Sequence, residues 1–339
     1  MKKKILVIFT GGTIGSEQTG KSVGLNTAKR KLLIDRYTRK YGNEVAFDCL
    51  SPINILSENV QKDDLEKLYD CVRATDCAQY DGIIITHGTD TLCFTVNWFS
   101  QVMCDFPLPV VFVSALYPID DERSNGIINF SGAVDFIEQA HIKGIYCSFA
   151  NDGENAKIHL ASRLVWPDEV NGFYHSVRGA HLAEIKDGRV IFNTSPLVPS
   201  PEEIEASHPE ALAPSLCDEV MLITMRALLN FGMYDFFRSR PRAIIIELSH
   251  SGTICTVGDE LNFIKFAERC KRLNIPVIIS PVMSAAGVYE SMSSLPDNVI
   301  VAHDITVEMT LVKVMCALGA KKPPESYLTC NLFFEKLYP

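Results

Sequence analysis

Two short polar segments have the residue types of a catalytic or binding turn, and each directly follows an apolar run. They are 10–14, Thr-Gly-Gly-Thr-Ile, and 86–92, Thr-His-Gly-Thr-Asp-Thr-Leu. Glycine lets the backbone approach a ligand closely and present its N–H groups. The hydroxyls of Thr13 and Thr89 suit a nucleophile or a proton relay, and the Asp90 carboxylate suits a substrate ammonium group. The same residues also fit glycine turns with helix-capping side chains, so the residues alone leave both interpretations open.

A phosphate-binding loop competes for the next segment, because residues 15–22 match the pattern G-x-x-x-x-G-K-[ST]. Such a loop leaves its strand directly, and its Lys-Ser pair opens a helix. Here five residues separate Phe9 from Gly15, and Gly24 is a poor residue for a first helical turn. The G-x-S-x-G pattern at 20–24 lacks the strand that a nucleophile elbow needs. We therefore predict a loop over a site. No H-E-x-x-H motif or Cys/His ligand spacing occurs, so we predict neither a metal nor a cofactor.

Short apolar runs rich in β-branched residues predict parallel strands that are covered on both faces, because their hydrophobicity is continuous rather than alternating. Between them, helical spacing predicts one helix that begins near Asp63 and another that follows Thr306 and ends at Gly319. Strands that alternate with helices are typical of an α/β fold. The predicted strands are 5–9, 82–86, 110–114, 144–149, 243–248, 276–280 and 298–302.

The segment 195–215 differs in composition from its surroundings. It contains five prolines, several glutamates and no aromatic residue. This composition favours an exposed linker between domains. We therefore predict a larger N-terminal domain over 1–194 and a smaller C-terminal α/β domain over 216–339.

The composition excludes several classes of protein and partner. Apolar residues make up 47% and charged residues 22% of the 339 positions, which excludes a disordered chain. The net charge of −9 argues against nucleic acid or an anionic membrane as a partner. The eleven cysteines are odd in number and lack C-x-x-C spacing, which favours free thiols in a reducing compartment. No segment approaches the ~18 apolar residues of a membrane span, and the first apolar run is too short for a signal peptide, so we predict a cytoplasmic protein.

Taken together and in this order, the segments 10–14 and 86–92 resemble the two signature motifs of the bacterial L-asparaginase family, of the cytoplasmic type. The resemblance spans nearly the whole chain. It includes 55–60, which is similar to the family's substrate-clamping turn, 113–118, which is similar to its third strand, and 304–308, which resembles its C-terminal D-x-T-x-E helix start. The fold that it implies has a larger N-terminal parallel-sheet domain and a smaller C-terminal α/β domain.

The resemblance implies hydrolysis of L-asparagine to L-aspartate and ammonia through an acyl-enzyme. In this interpretation Thr13 matches the nucleophile that attacks the side-chain amide carbon. Thr89 matches the second threonine, which helps to activate the nucleophile or a water molecule. Asp90 lies beside Thr89 in the same catalytic motif.

The same resemblance implies a set of substrate contacts. Asp90 and Glu58 match the residues that hold the α-amino group, and Ser57 matches the contact to the α-carboxylate. The backbone around Ala115 matches the contact to the side-chain amide. Thr253 replaces the asparagine of a C-terminal turn that reaches a neighbouring subunit's site in this family, which implies a homo-oligomer, a dimer or a tetramer.

The chain departs from the family pattern at two further places. The family's relay lysine falls at Val165 or Trp166, and no tyrosine occurs over 17–24, where the family's mobile loop carries one. Arg163 and Lys157 are the cations that we consider as replacements for the lysine, although arginine is not a base at neutral pH. These departures leave three hypotheses open: an asparaginase with a replaced relay, a hydrolase of glutamine or another amide, and a non-catalytic amino-acid-binding protein on the same scaffold.

Overall fold

The structure is a computed structural model that describes residues 2–12, 14, 16–19, 22–25, 28–236, 239–284 and 289–337. The contacts divide the chain into two units. The first is Met1–Pro214 with Leu332–Phe334, and the second is Ser215–Asn331 with Glu335–Pro339.

The first unit is built on an eight-stranded sheet with the order β10-β9-β8-β7-β6-β5-β1-β4. The strands β1, β4, β5, β6 and β7 run parallel, whereas β8, β9 and β10 add antiparallel pairs at one edge. Their bounds are Lys4–Phe9 (β1), Ala46–Leu50 (β4), Gly82–Thr86 (β5), Pro109–Val113 (β6), Gly144–Phe149 (β7), Lys157–Leu160 (β8), Ala183–Lys186 (β9) and Arg189–Phe192 (β10).

The order of the strands identifies where this sheet can bind a ligand. From β1 the chain proceeds to β4 on one side and then to β5 on the other, so β1 lies at a topological switch point. Open α/β sheets bind ligands in the crevice outside the carboxyl ends of the strands at such a point. Both polar segments of the sequence follow the carboxyl ends of β1 and β5.

Helices cover the faces of this sheet, as the buried parallel strands require. The helices α3 and α4 are buried along most of their length, and α2 buries an apolar stripe. The helices of the first unit are Ala28–Tyr41 (α1), Lys62–Arg73 (α2), Leu92–Val102 (α3), Gly126–Ala140 (α4) and Pro201–Ala206 (α5).

The second unit is a four-stranded parallel sheet with the order β11-β12-β13-β14. The strands are Val220–Thr224 (β11), Ala243–Glu247 (β12), Val277–Val282 (β13) and Val299–His303 (β14), and the helices are Phe263–Arg272 (α6), Val307–Gly319 (α7) and Pro324–Leu328 (α8). All seven predicted strands are present, and the α/β prediction is confirmed.

The segment that matches the phosphate-binding pattern forms strands rather than a strand and a helix. Ser16–Thr19 (β2) and Ser22–Leu25 (β3) pair as an antiparallel ribbon. Ser22 therefore lies in a strand, where a phosphate-binding loop requires a helix. Gly15, Gly20 and Lys21 lie outside the described residues.

The predicted linker 195–215 differs from an exposed connection. Ser200 caps α5 with a capping box, because its hydroxyl accepts from the Glu203 N–H and the Glu203 carboxylate accepts from the Ser200 N–H. Ile204 is fully buried, and Val198 belongs to the core of the first unit. The segment thus packs onto the first unit, and the domain bounds drawn from its composition stay a proposal.

Candidate functional site

The turn after β1 meets the turn after β5 through two glycines. The Gly12 N–H donates to the Ile55 carbonyl at 3.1 Å, and Gly12 has a φ of +71°. A Cβ on Gly12 would lie 2.3 Å from the Gly88 nitrogen. Only glycine therefore fits there, because both the conformation and the close approach exclude a side chain.

Ser57 joins the same contact from the turn after β4. A Cβ on Gly88 would lie 2.4 Å from the Ser57 Oγ, and the Thr91 Oγ1 donates to the Ser57 carbonyl at 2.9 Å. Ser57 is buried, whereas Glu58, its neighbour in the 3₁₀ turn Ser57–Asn59, is exposed. Three segments that are distant in sequence therefore meet at Gly12, Ser57 and Gly88.

Side-chain donors hold the turn after β5. The Ser114 Oγ donates to the His87 carbonyl at 2.7 Å, and the His87 Nδ1 donates to the Gly88 carbonyl at 2.8 Å. The Tyr174 hydroxyl donates to the Thr89 carbonyl at 2.5 Å. Three consecutive carbonyls of the turn are thus each bound by a side chain.

The amide groups of this turn point away from those carbonyls, because N–H and C=O lie on opposite sides of a trans peptide. Across the described ranges, the N–H groups of Gly88, Thr89 and Asp90 donate no hydrogen bond. These N–H groups are therefore donors without a partner among the described residues, and that of Gly88 lies against Gly12.

His87 is a structural member of the turn. Its ring is buried, and burial lowers its pKa to about 4, so the imidazole is neutral at pH 7. The Nδ1 atom carries the proton, because its partner is a carbonyl oxygen. The ring thus fixes the backbone of its own turn through Nδ1, and its low pKa makes it a weak base at Nε2.

The backbone at Ala115 is anchored on both sides. The Ser114 carbonyl accepts from the Asn129 Nδ2 at 2.7 Å, and the Leu116 N–H donates to the Asn125 Oδ1 at 2.9 Å. Both asparagines also bond to the backbone of Ala150. Ala115 itself is fully buried, so any ligand contact there is made by a backbone that is held in place.

The sequence-predicted residues divide by where they lie. Ser57, Thr89 and Ala115 lie in the interlocked turns of the first unit, and the carboxylates of Glu58 and Asp90 are exposed beside them. Thr13 lies outside the described residues. Thr253 belongs to the second unit, where its Oγ1 lies 3.0 Å from the Ser249 Oγ, and its part in the site stays a prediction.

The two cations considered as replacements for the family lysine are both engaged elsewhere. The buried Arg163 donates from Nε to the Phe334 carbonyl and from Nη1 to the Leu197 carbonyl. Lys157 pairs with Glu154 at 2.7 Å. These contacts stabilise the surrounding loops, and a replacement of the family lysine by Arg163 or Lys157 stays a prediction.

Sequence reasoning assigned no supporting role to the residues that hold the turns. Tyr174, Asn125 and Asn129 act on the backbone of residues distant in sequence, and such contacts leave no local pattern. Over the described ranges, no group of His, Cys, Asp and Glu side chains is arranged to hold a metal ion, and no helix is long and apolar enough to cross a membrane.

Comparison with known proteins agrees with this geometry. The family model "Asparaginase, N-terminal" matches residues 4–198. An L-asparaginase of Thermococcus kodakarensis is 30% identical over 326 residues, which cover 93% of this chain and 93% of that protein. A glutamyl-tRNA(Gln) amidotransferase subunit of Methanosphaera stadtmanae is 26% identical over 94% of this chain and 72% of its own length.

Solved structures show the same fold. The thermostable L-asparaginase from Thermococcus kodakarensis superposes with a TM-score of 0.80 at 26% identity and covers 98% of this chain and 99% of its own. L-asparaginase I from Vibrio cholerae superposes with a TM-score of 0.78 at 20% identity and covers 99% of each chain. The family model spans more than half of the chain and the 30% identical relative nearly all of it, so this chain belongs to the asparaginase family of hydrolases.

Proposed function

We propose that this chain hydrolyses L-asparagine to L-aspartate and ammonia. The observation that carries the proposal is the contact among Gly12, Ser57 and Gly88. It brings together the segments that lead into Thr13, Glu58 and Thr89. The family membership and the L-asparaginase of Thermococcus kodakarensis support an amide as the substrate.

In the proposed reaction, the Thr13 hydroxyl attacks the side-chain amide carbon, and its proton passes by way of Thr89 to the amide nitrogen. The carbon–nitrogen bond then breaks, ammonia leaves and an ester to Thr13 remains. A water molecule hydrolyses the ester, which releases L-aspartate and restores the hydroxyl. The N–H groups of Thr89 and Asp90 suit the negative charge that develops on the carbonyl oxygen, since they donate to no group among the described residues.

The substrate's own charges have matching groups in this proposal. The exposed carboxylates of Asp90 and Glu58 would hold the α-ammonium group, and the Ser57 hydroxyl would contact the α-carboxylate. The anchored backbone at Ala115 would contact the side-chain amide. Because Ala115 is fixed by two asparagine side chains, this contact costs little reorganisation on binding.

We also propose a cytoplasmic homo-oligomer, a dimer or a tetramer, in which Thr253 contributes to a neighbouring subunit's site. The hydroxyls of Ser249, Ser251 and Thr253 lie 3.0–3.1 Å from one another in one turn, so they can be presented together. A Campylobacter jejuni protein titled a probable cytoplasmic L-asparaginase, with a TM-score of 0.75, supports the location.

Two alternatives have their own support. The amidotransferase relative from Methanosphaera stadtmanae favours glutamine or a glutamyl group as the amide, and one methylene changes selectivity by only ~1–3 kcal/mol. The contacts of Arg163 and Lys157 with other groups favour a non-catalytic amino-acid-binding protein, because a cation held by such contacts is less free to replace the relay lysine.

The proposed function is tested by ammonia release from L-asparagine and L-glutamine. The Thr13→Ala variant is expected to lose activity by ~10³-fold or more, because the nucleophile acts as a unit with its relay. Thr329→Ala removes an exposed threonine hydroxyl in α8's C-cap and is expected to keep the wild-type rate. If the wild type releases no ammonia while L-aspartate raises its Tm, the binding-protein alternative replaces the proposal.

A further inference from the structure

Tyr174 is held in place more tightly than its position in a loop between β8 and β9 suggests. Its N–H donates to the Asn151 Oδ1 at 3.0 Å, and its carbonyl accepts from the Asn151 Nδ2 at 3.1 Å. Its ring packs against Phe149 with the centroids 4.9 Å apart, and the residue is only 1% exposed. The contacts with Asn151 and Phe149 therefore fix the position of the Tyr174 hydroxyl.

The Tyr174 hydroxyl binds the peptide between Thr89 and Asp90. The Tyr174 hydroxyl donates to the Thr89 carbonyl, which the Leu92 N–H also reaches at 3.3 Å in the first turn of α3. The peptide is planar, so fixing its carbonyl also fixes the direction of the Asp90 N–H. The same bond fixes the backbone from which the side chains of Thr89 and Asp90 start.

We propose that Tyr174 is a positioning residue of the active site, which orients the Thr89–Asp90 peptide through its hydroxyl. The inference rests on the proposed amide hydrolysis. It assigns to this hydroxyl the alignment of the Asp90 N–H toward the reacting carbonyl oxygen. It also assigns to it the orientation of the Thr89 side chain.

The hydroxyl is a fixed donor and takes no part in proton transfer. Burial holds the pKa of Tyr174 far above its usual range, so the phenol stays protonated at neutral pH. The negative charge of Asp90 contributes in the same direction. The proton is donated to a carbonyl, and the role is geometric.

The chain provides a matched control in Tyr146. This tyrosine is also fully buried in the first unit, and its hydroxyl also donates to a backbone carbonyl, that of Lys143, at 2.7 Å. Lys143 directly precedes β7, so the bond lies at the amino edge of the sheet, opposite the crevice. Tyr146→Phe therefore removes the same atom and the same kind of bond away from the site.

The experiment compares Tyr174→Phe, Tyr146→Phe and wild type with L-asparagine as the substrate. We expect Tyr174→Phe to lower kcat about 10- to 100-fold, because small displacements of reacting groups have effects of this size. We expect KM to rise by no more than about tenfold, because the aligned donor acts mainly in the transition state whereas the Asp90 carboxylate acts in binding. Tyr146→Phe is expected to keep the wild-type kcat while its Tm falls by as much as that of Tyr174→Phe. The midpoints of the pH dependence of kcat are expected to be the same in all three proteins.

Three results would overturn the inference: a wild-type kcat in Tyr174→Phe, an equal loss of kcat in Tyr146→Phe, or a shifted pH midpoint in Tyr174→Phe. Failure of the proposed function is a separate result, namely a wild type that releases no ammonia from L-asparagine. In that case, the binding of L-aspartate measured by calorimetry tests the positioning role of Tyr174. A Kd raised about tenfold in Tyr174→Phe alone supports the positioning of Asp90. An unchanged Kd, or a wild type that does not bind L-aspartate, overturns it.

Discussion

At the scale of single residues, this site depends on glycines, which have no Cβ. A Cβ on Gly12 would overlap the Gly88 backbone, and a Cβ on Gly88 would overlap the Ser57 side chain. The sequence motifs predicted both turns because glycine and threonine after an apolar run are local signals. The contact of Ser57 with Gly88 was not predicted, since no local pattern links the two positions.

Gly88→Ala is expected to destabilise the protein by about 1–3 kcal/mol and to reduce asparagine hydrolysis strongly, because the new Cβ would lie 2.4 Å from the Ser57 Oγ. Urea denaturation and ammonia release measure the two effects. A second background isolates the cause: in a Ser57→Gly protein, the same change is expected to cost much less stability, because the clashing side chain is gone. An equal loss in both backgrounds would mean that the strain arises elsewhere.

At the scale of elements, the extent to which a strand is buried determined whether it could be predicted from the sequence. The strands β1, β5, β6 and β7 are continuously buried, so their apolar runs gave nearly correct bounds. The edge strands were missed because their burial is partial: β4 ends exposed, and β10 alternates between exposed and half-buried positions.

The short helix α5 was missed for a different reason. Its start signal, a serine at 200 followed by Pro201 and then Glu203, is present in the sequence. The prolines around it favoured a linker instead. Proline at a first helical position fits a helix start as well as a linker, so the composition of a segment is a weaker guide than the order of its residues.

The helix α4 carries a carboxyl group that is unfavourable in the folded state at neutral pH. Asp135 lines a cavity of about 230 Å³ together with Tyr41, Ser131 and Glu154. Burial, and then the charge of Glu138, raise its pKa to about 6. The folded protein therefore holds a proton that the unfolded chain releases near pH 4. Stability decreases as the pH rises from about 4 to 6, and the decrease persists above that range.

Asp135→Asn is consequently expected to raise the free energy of unfolding at pH 7, by about 1 kcal/mol after discounting for the partial exposure of the carboxyl group. At pH 3.5 most of the gain is expected to be lost, because the carboxyl group is then protonated in the folded state and mostly protonated in the unfolded state. Thermal unfolding at the two pH values measures this difference. Glu66→Gln on the exposed face of α2 serves as the control. A gain of the same size at both pH values would exclude ionisation as its cause.

At the scale of the whole molecule, a buried ion pair fastens the C-terminal segment in the second unit. Lys313 of α7 and Glu335 are both fully buried, with Nζ and Oε1 2.5 Å apart. The Lys313 Nζ also donates to the carbonyls of Tyr327 and Cys330. Two buried charges are tolerated in this way because each is surrounded by opposite charge or by hydrogen-bond partners.

Lys313→Met is expected to lower the free energy of unfolding by about 3–5 kcal/mol, because it leaves the Glu335 carboxylate buried without its cation. Adding Glu335→Leu is expected to recover most of the loss, since no buried charge then remains. Urea denaturation followed by circular dichroism measures both variants. Lys271→Met breaks an exposed pair with Asp297 in the same unit and is expected to change little. A double variant as unstable as Lys313→Met would show that packing rather than charge is responsible.

The residues just before this ion pair complete the core of the other unit. Phe333 is buried in the core of the first unit against Gly144, where a Cβ would lie 2.4 Å from the ring, and its carbonyl accepts from the Ser162 Oγ. Protein synthesis delivers the first 214 residues long before residue 333. On the ribosome, the first unit therefore cannot complete its hydrophobic core when its first 214 residues have emerged. The position of the Phe333 ring stays unfilled until the C-terminal segment has been synthesised.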